Sequence, residues 1–143
     1  MESHEIYLGN PNLKKANVAV EFTQEQIQEF IKCSEDPIYF AREYVKIVSL
    51  DEGLVPFEMW DFQEELIKNF HNNRFNIAKL PRQTGKSTTC VSYLMHYALF
   101  NDNVKIAILA NKAETSRELL SRLQLSYENL PKWMQHGIVS WNK

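Results

Sequence analysis

The 143 residues are 44% apolar, 24% charged and 12% aromatic, the composition of an ordinary globular chain with length enough for one core. No apolar run reaches the roughly 18 to 20 residues of a membrane span. The opening MESHEIYLGN also lacks the basic-then-apolar pattern of a signal peptide, so the chain is expected in the cytoplasm and off the membrane. Cys33 and Cys90 stand far apart with no CxxC pairing, which indicates neither a disulfide framework nor a zinc site. The net charge of −2 argues against a protein that coats nucleic acid, but it is unevenly placed. Residues 1–75 carry 14 acidic and 7 basic side chains, net −7, and residues 76–143 carry 4 and 9, net +5. The second part is the expected home of an anionic ligand.

Residues 1–20 are polar and read as an irregular N-terminal arm. Residues 21–75 read as a helical lead-in. Its first helix, over residues 22–31, has Thr23 as N-cap and places Ile27, Phe30 and Ile31 on one face. Asp36-Pro37 opens a second helix over 38–47, a turn falls at 51–53, and a third helix runs from about Trp60 to Phe70. From residue 76 the pattern changes. Residues 76–80 (NIAKL) read as a short strand, and 104–110 (VKIAILA) as a nearly continuous apolar run of parallel-strand type. Between them 86–100 reads as a buried helix, and 114–130 as an amphipathic helix stopped by Pro131. The expected fold class is therefore α/β: a P-loop NTPase, RecA/helicase-like parallel-sheet core of β-α-β-α order over 76–143, behind the helical lead-in. Two parallel strands cannot build such a core alone, so the chain is expected to be an incomplete piece of a larger domain.

The motif that carries chemistry lies between the first expected strand and its helix: Pro81-Arg82-Gln83-Thr84-Gly85-Lys86-Ser87. A P-loop asks for Gly, four residues, then Gly-Lys-Ser/Thr. Here Gly85, Lys86 and Ser87 are present and Leu80 replaces the first glycine. Backbone N–H groups of Gln83, Thr84, Gly85 and the first helical turn through Thr88 would face phosphates at the positive end of the helix dipole. Lys86 would reach the β and γ phosphates, and the Ser87 hydroxyl would ligate Mg²⁺. The expected cofactors are accordingly ATP and Mg²⁺.

Arg82 and Gln83 inside a loop without its opening glycine resemble the R-Q-x-G-K-S/T variant of the terminase large subunits of tailed phages. Phe57-Glu58-Met59-Trp60-Asp61-Phe62-Gln63 resembles that family's adenine-reading segment, and the Gln63 amide has the donor and acceptor for one edge of adenine. Asn10-Pro11-Asn12-Leu13-Lys14-Lys15-Ala16-Asn17, residues 38–41 and the tail 130–143 also look like the packaging motor of large-genome myophages. The resemblance implies a DNA-packaging ATPase in the host cytoplasm that translocates double-stranded DNA. It further implies a homo-oligomeric ring on the portal protein, a small terminase subunit as partner, and Arg82 as an arginine finger acting beside Lys86.

No apolar strand ending in Asp-Glu is present, and neither the family's coupling motif nor its nuclease domain is there. The piece alone is thus expected to bind nucleotide without hydrolysing it. Two alternatives stand beside it: a helicase-type DNA-dependent ATPase, and a non-catalytic nucleotide-binding or docking module. Residues 110–112 suit either a ligand-sensing turn or a plain strand-to-helix turn. His4, His71, His96 and His136 show no ligand spacing, and His96 reads as a core histidine. Trp60, Trp133 and Trp141 read as packing residues.

Overall fold

A computed structural model describes residues 5–49 and 51–142. The segment expected to be an irregular arm forms a small antiparallel ladder, β1 (Ile6–Tyr7) with β2 (Asn10–Lys14). Leu13 is completely buried, and the N–H of Ala16 and the carbonyl of Lys14 bond to Ile138, tying this segment to the far end of the chain. Gly137 makes that approach possible: a Cβ there would lie 2.8 Å from the Lys15 carbonyl oxygen and overlap the Ala16 backbone.

Helix α1 (Gln24–Glu35) starts on a reciprocal cap, the Thr23 hydroxyl accepting from the Gln26 N–H and the Gln26 amide oxygen accepting from the Thr23 N–H. Asp36 ends α1 and caps α2 (Pro37–Tyr44) by accepting from the N–H groups of Ile38 and Tyr39. The chain then turns extended. β3 (Lys46–Ser49) pairs antiparallel with β4 (Gly53–Pro56), where the helix was expected to continue to residue 47. The β-branched pair Ile47-Val48 favours the strand once α2 has ended. α3 (Asp61–Asn72), α4 (Lys86–Phe100) and α5 (Ala113–Glu128) complete the elements.

α4 is the centre of the molecule and packs against α2, α3 and α5. It buries Thr89, Val91, Ser92, Met95, His96 and Leu99, which lie on one side of the helix, while Tyr97 and Ala98 are exposed. Phe40, Phe100 and His96 meet edge-on beside it, with Cys33, Ile67, Leu130 and Met134 closing the core. His96 is a core residue as expected: its Nε2 bonds the Cys33 carbonyl at 2.9 Å, while Nδ1 has no partner. Trp133 and Trp141 pack against the core, but Trp60 is 61% exposed, against expectation.

The expected parallel-sheet core is not formed. Both sheets of the described residues are two-stranded and antiparallel, and the sole parallel pairing is an isolated bridge between Lys15 and Ile138. Residues 76–80 and 104–110 have no strand pairing and make no backbone–backbone hydrogen bond among the described residues. Ala78 and Ile108 instead line a 250 Å³ cavity against α4, while Ile77 and Leu109 face outward, 100% and 87% exposed. No residue of either run is buried, and only Leu80, Val104 and Ile108 are half-buried; a run of apolar residues does not supply the neighbouring strand a ladder requires. The α/β P-loop NTPase reading of the fold is corrected accordingly, to a mostly helical domain with two antiparallel hairpins.

Among the described residues, no helix is long and apolar enough to cross a membrane.

Candidate functional site

Residues 81–85 form a tight loop that delivers the chain into α4. Gln83 and Gly85 both adopt the left-handed conformation, with φ of +61° and +68°. Such a sequence turns successive N–H groups toward one side, the arrangement of an anion-binding nest. Gly85 is the N-cap of α4, and no side chain caps that end. The N–H groups of Lys86, Ser87 and Thr88 therefore begin the helix without acceptors among the described residues. Thr89 fastens the turn from below, its N–H and hydroxyl both donating to the Gly85 carbonyl at 3.0 and 3.1 Å.

The Lys86 ammonium folds back over the loop, donating to the Pro81 carbonyl at 2.8 Å and reaching the Leu80 carbonyl at 3.5 Å. Thr84 donates to the same Pro81 oxygen at 3.1 Å. A phosphate arriving at the N-terminus of α4 would offer this ammonium charged oxygens in place of neutral carbonyls. Arg82 is exposed on the rim and has no ion-pair partner among the described residues. Ser87 is half-buried beside Lys86, and Thr88 looks toward Arg122 and Ser126, into a different hollow.

Gln63 reaches this loop from α3, 22 residues earlier in the chain. It is 3% exposed, and its amide oxygen accepts from the Trp60 N–H at 3.0 Å. Its Nε2 sits against Gly85, only 2.5 Å from where a Cβ would stand. The fold thus brings together Gln63 and the consecutive residues Gln83 to Ser87, leaves Arg82 at the edge, and directs Thr88 elsewhere. The oxygen that would accept from an adenine amine is engaged by Trp60 in this arrangement.

The donor set fits a polyphosphate: several free N–H groups, a helix N-terminus and one lysine, with the glycine that lets them approach. For Mg²⁺ the loop offers the Ser87 hydroxyl alone. Among the described residues, no group of three or more His, Cys, Asp or Glu could hold a metal, so a divalent ion would come coordinated by the phosphates. His4, one of the four histidines read as lacking ligand spacing, lies outside the described residues.

Two polar hubs escaped the sequence reading. Gln135, 1% exposed, donates through Nε2 to the carbonyls of Asn12, Tyr127 and Leu130, and accepts from the Lys14 N–H. Glu29 accepts from the Tyr39 and Tyr44 hydroxyls at 2.8 and 2.9 Å. Burial raises the Glu29 pKa, but these two bonds and the nearby Lys32 charge outweigh it and hold the carboxyl below its ordinary value. The capping pattern Thr23-x-x-Gln26 was legible locally; neither hub has a local signature, because their partners lie up to 123 residues away.

No protein-family model matches the chain. The expectation of a motor ATPase is overturned by the fold. An ATPase of that kind anchors its phosphate loop between a strand of a parallel sheet and the helix that follows, and here residues 76–80, which lead into the loop, are unpaired. The same finding removes the Walker A, terminase and DNA-translocation descriptions and the helicase-type alternative.

Proposed function

We propose that the chain binds the polyphosphate of a nucleoside triphosphate, ATP with its Mg²⁺, at the elbow formed by Gln83, Thr84, Gly85, Lys86 and Ser87, and that binding is the activity of this site. The observation that carries the reading is the open N-terminus of α4: N–H groups without acceptors, a left-handed glycine ahead of them, and Lys86 resting on carbonyls it can leave. Thr88 would contribute its N–H and not its side chain. Arg82, free on the rim, would add a second cation to the outermost phosphate. The contrast between the acidic first half and the basic second half supports an anion at this end. Double-stranded DNA, a portal, a small subunit and a ring of copies rest on the resemblance alone.

The test is amide chemical-shift mapping during titration with Mg-ATP. Saturable shifts centred on residues 83–88 are expected; shifts scattered over the surface, or none at millimolar nucleotide, would remove the site.

A further inference from the structure

Residues 76–80 and 104–110 pass side by side over the same stretch of α4. Asn76 and Ile106 line one hollow of about 650 Å³ against Cys90 and Leu94, and Ala78 and Ile108 line a second of about 250 Å³ against the same two residues. Side chains alternate as in a strand: Ala78, Ile106 and Ile108 turn toward α4, while Ile77 and Leu109 turn away. The runs keep step, 76 with 106 and 78 with 108, yet no hydrogen bond joins them.

Apart from the Leu80 carbonyl, which Lys86 reaches, no backbone N–H or carbonyl of either run has a hydrogen bond among the described residues. Such groups are obligatory donors and acceptors, and an open edge of extended chain is a template for another strand. Here two open edges border hollows with one shared apolar floor. Phe75, Ile77 and Leu109, each more than 80% exposed, add an uncovered apolar face beside them. The charge is one-sided: residues 74–112 carry Arg74, Lys79, Arg82, Lys86, Lys105 and Lys112 against Asp102 alone. Lys79 and Lys105, one on each run, are exposed and have no ion pair among the described residues. Like charge opposes pairing of this edge with its copy on a second chain and favours carboxylates opposite it.

We propose that the two runs bind an extended segment of another protein, laid between them as an added strand. Its apolar side chains would rest against Cys90 and Leu94, and its acidic ones beside Lys79 and Lys105. The free main-chain groups call for a strand, the floor for apolar residues at every second position, and the lysines for carboxylates between them. A compact apolar ligand would leave both edges unpaired.

The experiment uses capped peptides of about eight residues, a length that spans either run. One alternates valine with glutamate, one alternates valine with lysine, and one is the glutamate peptide with every second amide N-methylated. Amide shifts and amide hydrogen exchange of the whole chain are the readouts. The glutamate peptide is expected to saturate, with shifts centred on residues 75–80, 90–97 and 104–110 and slowed exchange at 76–80 and 104–110. The lysine and N-methylated peptides should each bind about tenfold or more weaker, through the lost charge match and the lost ladder bonds. Lys79→Glu with Lys105→Glu, both at exposed positions, should reverse the preference between the two charged peptides without unfolding the chain. Equal affinity for the N-methylated or the lysine peptide, shifts elsewhere, or no saturation overturns the proposal. Self-association that slows the same amides in the free chain would give the edge to a second copy. Tighter binding of oligothymidylate at those amides would give it to nucleic acid, and either result also overturns the proposal.

Discussion

Replacing Gly85 with alanine tests how the phosphate loop is built. At φ +68° an alanine pays the left-handed penalty of about 1–2 kcal/mol. Its Cβ would also stand 2.5 Å from the Gln63 Nε2. That amide is the far end of a flexible side chain, but it is almost fully buried and tethered to the Trp60 N–H. Moving aside would break the tether, at a further cost of about 1 kcal/mol. Gly85→Ala should therefore destabilise the fold by roughly 2–3 kcal/mol, a fall in Tm of about 6–12 °C for a domain of this size. Urea and thermal unfolding followed by circular dichroism measure it. The double variant Gly85→Ala/Gln63→Ala should cost less than the sum of its singles by at least about 0.5 kcal/mol, since the overlap is gone. Strict additivity, or an alanine variant within about 0.5 kcal/mol of the parent, refutes the contact between α3 and the loop.

Gln135→Ala should cost about 2–5 kcal/mol in urea unfolding, because it strands the buried Lys14 N–H and the three carbonyls that share one amide nitrogen. Gln135→Glu should be worse, turning a carboxylate toward those same carbonyls; a milder effect than alanine would sink the hub. Burial holds His96 below the ordinary histidine value of 6.5, so the unfolded chain takes up a proton first. The stability His96 contributes is full above that value and is lost as pH falls through its depressed folded pKa. Unfolding midpoints at about pH 7.5 and 5.5 should show this loss, and His96→Gln should flatten it. If Gln63 leaves Trp60 to read a base, Gln63→Ala should weaken ATP more than GTP by about 1–3 kcal/mol. Equal losses confine Gln63 to supporting Gly85.

Where the signal was local, the sequence carried it. Lys86 to Phe100 reads as a buried helix; it is a helix, buried along one side, with Tyr97 and Ala98 exposed. Thr23 and Asp36 start their helices because short polar side chains reach N–H groups two or three residues on. The loop could be read for the same reason: Gly85, Lys86 and Ser87 are adjacent in the chain and stay adjacent in space. What failed depended on partners at a distance. Residues 76–80 and 104–110 have the composition of strands, but a strand exists only through its neighbour, and none is supplied among the described residues. Residues 46–49 and 53–56 find each other across a turn that the sequence reading placed between two helices. β2 meets the turn at 133–136 through the Lys14 N–H and the Gln135 amide, and no spacing in the sequence announces that meeting.

Calorimetric titration with Mg-ATP, on the unaltered chain and on Lys86→Ala, tests the central claim most directly. Lys86 touches only the Pro81 and Leu80 carbonyls through its ammonium, so its removal should leave the melting temperature nearly unchanged. The account predicts one saturable site in the unaltered protein and affinity lower by about tenfold to a hundredfold in the variant, the worth of one charge-assisted hydrogen bond. No saturable heat, or the same affinity with and without Lys86, would contradict it.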